Sequence, residues 1–178
     1  MGSSQESCTC NNCSYNPRVS SVSRSTDRAA SVPPKGRVPV GCTSFRLRQL
    51  TRRVSQHFDR IVGEAGIKTT QYSLLSHIER LGPIRPGELA RAMSMDASTL
   101  TRNLQPLLKS GWAEIGPGSD GRTRVITATA AGRAKRAEAA RSWKRAQLEI
   151  NARLGDERVV RLHDLLEECL TLMDADDE

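Results

Sequence analysis

The stretch from Ile84 to Thr129 constrains this chain more than any other: IRPGELARAMSMDASTLTRNLQPLLKSGWAEIGPGSDGRTRVITAT. Pro86 suits the first turn of a short helix that runs to about Met93, with Leu89 and Ala90 inward. Asp96 is placed to cap a second helix whose buried stripe is Leu100, Leu104, Leu107 and Leu108. Gly111 provides a left-handed stop. Two apolar runs follow, Trp112–Ile115 and Arg124–Ala128, around the tip GPGSDGR. Two helices across a tight turn and then a hairpin make a helix-turn-helix with a wing. Such a unit can present a helix to the major groove of DNA and an arginine to the minor groove.

The flanks read as helices of a different kind. Leu47, Leu50, Val54, Phe58 and Ile61 recur at spacings of three and four, which predicts a helix over Thr43–Ala65 stopped by Gly66. Thr69 or Thr70 is expected to cap the next helix, with Tyr72, Leu75 and Ile78 inward and Gly82-Pro83 as its end. A long basic helix is expected from about Ala130 to Leu154, broken at Gly155-Asp156. A last helix carries Val159, Leu162, Leu166, Cys169 and Met173, with Leu165, Leu170 and Leu172 widening the stripe. A stripe this broad needs cover on more than one side. The simplest arrangement packs the first and last helices together and against those of a second chain. The expected architecture is therefore mainly α with a small β-hairpin wing. A winged helix-turn-helix lobe at about 67–128 joins a dimerisation lobe made from helices at about 43–65 and 130–173. Residues 1–41 are rich in Ser, Pro and Arg without apolar periodicity, and read as a disordered extension ahead of a domain at 42–178.

Charge narrows the partner. The chain of 178 residues carries a formal net charge of +7, which favours an anion. Residues 129–155 hold seven Lys/Arg against two acids, and residues 156–178 hold two against nine. Aromatics make up only 3%, which argues against stacking on single strands as the binding mode. No apolar run of membrane-spanning length occurs and the start lacks a secretory apolar core. The five cysteines, odd in number and irregularly spaced, do not outline a disulfide scaffold. A reducing cytoplasm is the expected compartment. Cys8, Cys10 and Cys13 supply three thiols with no nearby His, so no metal site or cofactor is expected. No acid partner, oxyanion signature or metal cluster accompanies Cys42, His57 or His77, and an enzyme is not expected.

The order of elements, together with GELARAMSMDASTLTRNLQPLLKSGWAEI and SDGRTRVITATAAG, resembles the MarR family of bacterial regulators from about Thr43 to Met173. The resemblance implies a homodimeric regulator of transcription, a repressor, on a palindromic double-stranded operator. From the residues themselves, Ser98 and Thr99 in the first turns of the recognition helix are short enough for close approach to base edges. Thr101, Arg102 and Gln105 follow on the same outward side, with Thr101 and Arg102 nearer the phosphates. Local capping of the helix start is the alternative use of Ser98 and Thr99. In the wing, Arg122 corresponds to the arginine that such proteins insert into the minor groove, with Asp120 expected to orient it by a charge-assisted hydrogen bond. Arg124 reaches a flanking phosphate or lies on the solvent face of its strand. Two residues depart from the pattern: Pro106 lies inside the recognition helix, and Arg85 stands where a Ser or Thr cap is preferred.

The resemblance also implies release by a small anionic aromatic ligand held where the dimer helices meet the DNA-binding lobe. Arg53, His57, Tyr72 and His77 are the candidates, each with packing or a solvated helix face as its alternative use. The rival signal is oxidation of Cys42, at or just before the first helix and near Arg46 and Arg48. An effector-independent architectural DNA-binding protein is a third reading, consistent with the basic fifth helix.

Overall fold

The computed structural model describes residues 40–174. The expected disordered extension lies almost wholly outside those residues, as do Cys8, Cys10 and Cys13. The order of elements is α1 (Thr43–Val62), a single 3-10 turn (Gly63–Ala65), α2 (Thr69–Leu81), α3 (Pro86–Ala92), α4 (Ala97–Lys109), β1 (Ala113–Pro117), β2 (Arg124–Ala128), α5 (Ala130–Leu154) and α6 (Asp156–Asp174). This is the winged-helix arrangement expected from the sequence, and the boundaries of α4, β2 and α5 fall where the caps and stops place them.

Each end has a local cause. Gly66, at φ 68°, closes the 3-10 turn with its N–H on the Gly63 carbonyl at 2.9 Å. The start of α2 differs from expectation. Lys68 is the N-cap residue, and its main-chain N–H is held by the Gln71 side chain at 2.9 Å. Thr69 already belongs to the helix, with its N–H given to Asp59 Oδ1 at 3.2 Å. The orphan donors of this helix are thus met by Gln71 and by α1, not by a threonine hydroxyl. At α3 the Glu88 side chain accepts the Arg85 N–H at 3.3 Å, which makes up for the missing Ser or Thr cap. Helix α4 runs on through Pro106 to Lys109. It ends in a Schellman pattern, with Trp112 N–H on Leu107 O at 2.9 Å, Gly111 N–H on Leu108 O at 3.0 Å, and Gly111 at φ 66°.

The core is centred on the lobe and takes in the end of α1 and the inner face of α5. Ile61, Leu74, Leu75, Ile78, Leu89, Leu107 and Ile126 are fully buried, joined by Leu100, Leu104 and Phe58. β1 and β2 pair antiparallel with Ile115 opposite Ile126. Ile84 adds a short third edge, exchanging hydrogen bonds with Ile126 at 2.8 and 3.2 Å. The first strand begins one residue later than predicted because Trp112 is engaged elsewhere. Its carbonyl accepts the Thr129 N–H at 3.1 Å, while the Thr129 hydroxyl donates to Gly111 O at 2.6 Å and accepts the Gly132 N–H at 3.0 Å. A Cβ on Gly132 would come within 1.9 Å of Trp112 O. The start of α5 is therefore keyed into the end of α4 by a contact that only glycine permits.

The charges of α5 are largely used inside the molecule. Arg136 pairs with Glu79 of α2 at 3.1 Å, Arg145 with Glu64, and Glu149 with Arg60 at 3.5 Å. Lys135 donates to the Ala65 carbonyl at 3.2 Å and to Glu138 at 2.8 Å, and Arg133 donates to Ala128 O at 2.6 Å. Trp143 stacks on Tyr72 at 6.2 Å and meets Phe58 at 6.2 Å. The outer helices contrast with this. Phe45, Leu47 and Leu50 of α1 and Val160, Leu165, Leu166, Leu170, Leu172 and Met173 of α6 are exposed. Of the α6 stripe, Val159 is buried and Leu162 half-buried.

Candidate nucleic-acid interface

Helix α4 is aimed by the turn that precedes it. Ser94 takes a left-handed conformation at φ 49°, and Met95 N–H returns to Ala90 O at 2.9 Å. A serine gives little sequence warning of that conformation, for which Asn or Gly is the usual signal. The helix buries Leu100, Leu104 and Leu107 and leaves Ser98, Thr101, Arg102 and Gln105 exposed, with Thr99 half-buried. Apolar residues at i, i+4 and i+7 anchor one side, so the polar positions between them must face away from the core.

The start of α4 is organised around Asp96. Its Oδ1 accepts from the Thr99 N–H at 2.7 Å and the Ser98 hydroxyl at 2.6 Å, and its Oδ2 accepts from the Thr99 hydroxyl at 2.7 Å. The Ser98 hydroxyl, followed by the Thr99 hydroxyl and N–H, holds the Asp96 carboxyl well below the usual carboxylate range. Arg102 in turn donates to Thr99 Oγ1 at 3.2 Å, with Ser98 Oγ at 3.5 Å. Thr101 returns its hydroxyl to Ala97 O at 2.8 Å. In the free chain both hydroxyls are therefore turned onto the carboxylate of Asp96, which is itself the cap. Asp96, readable from sequence only as a cap, also governs both hydroxyls.

The wing tip repeats this device. Asp120 Oδ1 accepts from the Thr123 hydroxyl at 2.7 Å, the Thr123 N–H at 2.8 Å and the Arg122 N–H at 3.0 Å. Those bonds, led by the Thr123 hydroxyl, lower its carboxyl to about 2. Asp120 therefore shapes the turn through the main chain of Arg122, where a bond to the side chain had been expected. Arg122 and Arg124 are exposed. In the sequence Arg85 stands out only as a poor cap. It follows Ile84 at the strand edge, is exposed, and adds its charge to the field lowering Asp120.

The ligand candidates differ in exposure, and His57 and Tyr72 are joined through the rings of Phe58 and Trp143. Arg53 is exposed on α1 and His77 is half-buried on α2, its Nδ1 2.8 Å from Ser73 O. Tyr72 is buried against Trp143. His57 is buried with Nε2 3.1 Å from Ala146 O and 3.7 Å from Glu149. A cleft of about 480 Å³ opens between the end of α1 and the start of α2, lined by Asp59, Gly63, Gly66, Ile67, Lys68 and Gln71. Another of about 210 Å³ is lined by residues that include Glu79, Pro83 and Arg133. None of the four candidates lines either. Cys42 and Cys169 are both free and exposed. Among the described residues no cluster of His, Cys, Asp and Glu could hold a metal, and no helix is long and apolar enough to cross a membrane.

A family model described as the MarR family matches residues 65–123. The crystal structure of the M. tuberculosis transcriptional regulator MosR is 30% identical, covers 74% of this chain and 96% of that one, and superposes with a TM-score of 0.62. The chain belongs to the MarR family. A second MosR structure, of its complex with DNA, is 30% identical over 72% of this chain and 98% of that one, with a TM-score of 0.59. The multiple antibiotic resistance protein MarR of Salmonella typhimurium is 30% identical over 89 residues, 50% of this chain and 60% of that protein. The chain spans about three-fifths of the length of the curated relatives it matches. MarR-family proteins are transcriptional regulators and not enzymes, and the matched segment contains all of α2, α3, α4 and β1 together with the wing tip.

Proposed function

We propose that this MarR-family protein is a homodimeric regulator of transcription that binds double-stranded DNA sequence-specifically, acting as a repressor. The observation that carries the reading is the outward face of α4, where Ser98, Thr101, Arg102 and Gln105 stand exposed opposite the buried Leu100, Leu104 and Leu107, with Leu108 of the expected stripe only half-buried at its edge. That face suits the major groove, and the exposed Arg122 at the end of a short hairpin suits the minor groove. MosR, of like fold, has been solved with DNA. The exposed leucines of α1 and α6 suit burial against a second copy. A two-fold pair would read an imperfect palindrome with half-sites about 10 bp apart. Because Arg133, Lys135, Arg136 and Arg145 are engaged within the chain, the basic fifth helix lends little to an architectural role.

Arg122→Ala is expected to weaken operator binding by about 1–3 kcal/mol and leave the dimer intact. A gel shift in excess random-sequence competitor measures this. Unchanged affinity would remove the wing from the interface, and loss of the wild-type complex to competitor would favour the architectural reading.

For the signal we propose a small anionic aromatic ligand, for which the exposed Arg53 offers the counter-charge. Thermal-shift screening of aromatic acids beside Arg53→Ala tests it: a stabilisation that the substitution leaves intact would remove Arg53. The exposure of Cys42 favours a second reading, in which oxidation releases the DNA. Equal release by peroxide in wild type and Cys42→Ser would exclude Cys42 as the sensor.

A further inference from the structure

The hydrogens at the start of α4 fix what its exposed face can ask of a base. An ionised carboxylate accepts hydrogen bonds and donates none. In the 2.6 Å contact between Ser98 Oγ and Asp96 Oδ1, the hydrogen therefore comes from serine. A serine hydroxyl has only one hydrogen, so Ser98 has lone pairs and no donor left to present outward. The depressed carboxyl of Asp96 keeps this true throughout the neutral range. Thr99 is closed on both sides, donating to Asp96 Oδ2 at 2.7 Å and accepting from Arg102 at 3.2 Å, and it is half-buried. Ser98 is exposed, and its contact with Arg102 is the longer one at 3.5 Å.

Resting on the DNA-binding reading above, we infer that Ser98 reads the major groove only as a hydrogen-bond acceptor, with Asp96 setting that polarity, so that the base opposite it carries an exocyclic amino group, adenine or cytosine. In the major groove the donors are adenine N6 and cytosine N4, whereas guanine and thymine present acceptors, and thymine its methyl group, but no donor. An acceptor facing guanine O6 or thymine O4 leaves two lone-pair groups desolvated against each other. Asp96 thus acts as a positioning residue that never touches the base, and helix capping and base preference are consequences of one set of hydrogen bonds.

The test is selection from a library of duplexes with a randomised core, by wild type, Ser98→Ala and Asp96→Gly. Glycine is an accepted N-cap residue, so Asp96→Gly keeps the start of α4 while releasing both hydroxyl hydrogens. Ser98→Ala marks the position Ser98 touches as the one whose discrimination it erases. There, wild type is expected to favour adenine or cytosine over guanine or thymine by about fivefold, the worth of one hydrogen bond. Asp96→Gly is expected to bring that preference below about twofold. A guanine or thymine preference in wild type overturns the inference, as does a site in which Ser98→Ala alters no position. An unchanged preference in Asp96→Gly overturns the role of Asp96. If Asp96→Gly does not fold, by its thermal melt, wild type and Ser98→Ala still decide the polarity. A library from which wild type selects nothing sinks the DNA-binding reading itself and this inference with it, whereas a selected site with the wrong base sinks this inference alone.

Discussion

The lobe built from α2, α3, α4 and the hairpin is covered within the chain, and much of the outer helices is not. In the lobe the apolar stripes are buried against one another and against α1 and α5, and the helix starts are served by Gln71, Glu88 and Asp96 close by in sequence. The amino-terminal half of α1 and most of α6 show an equally regular periodicity, yet Leu47 is 47% exposed and Leu170 60% exposed. Amphipathic spacing alone therefore separates helix from loop but does not say what covers the stripe. Where the covering surface belongs to the same chain, burial follows. Where it does not, the stripe stays exposed and suits the second copy proposed above.

The sharpest way to break this comparison is to delete one side of it. Truncation after Leu154 removes α6 and is expected to abolish the dimer, weakening operator binding by about a hundredfold or more through loss of the second recognition helix. Sedimentation showing an unaltered dimer would mean that α6 is not the partner-facing surface. A pair of leucine truncations draws the same contrast more finely. Leu107, fully buried, is expected to cost about 2–5 kcal/mol as Leu107→Ala, independently of protein concentration. Leu170→Ala is expected to change the stability of the single chain by less than about 0.5 kcal/mol and to act instead on the midpoint of dimer dissociation. Urea unfolding at several protein concentrations separates the two. A concentration-independent loss at Leu170 would make α6 part of the chain's own core.

How much could be read in advance follows the same division. The winged-helix order and the outward α4 residues were legible because Pro86, Asp96, Gly111 and the leucine spacing each act within a few residues. The Lys68 start of α2 was not, since its donors are met by Asp59 of α1 and by Gln71. Nor was the left-handed Ser94, a residue type that seldom marks such a turn. The burial of His57 against Ala146 and of Tyr72 against Trp143 depends on α5 crossing α1 and α2, contacts separated by most of the domain in sequence. Residue chemistry and rough position do not distinguish an exposed side chain such as Arg53 from buried ones such as His57 and Tyr72. The place of Arg85 is hidden from the sequence for a related reason. Its nearness to the wing comes from the Ile84–Ile126 bridge, which the hydrophobic pattern does not announce.

The smallest expected effect concerns how locally the lobe is held. Asp120 is an exposed carboxylate, yet the Thr123 hydroxyl and the Thr123 and Arg122 N–H groups lower it from 3.8 to about 2. A depressed folded-state value means that the wing turn gains stability when the carboxyl is ionised. That gain is complete above the unfolded value near 3.8 and fades as pH falls towards about 2. Carboxyl-carbon NMR should therefore find the Asp120 midpoint well below the 3.8 of an ordinary aspartate. Asp120→Ala should speed amide exchange at Arg122 and Thr123 while leaving Leu107 and Ile126 protected. Because the site is exposed, the global unfolding midpoint at neutral pH should move little. A titration midpoint near 3.8 would show the tip to be loose in solution, and Arg122 would then reach the minor groove without preorganisation, losing part of its affinity to ordering the turn.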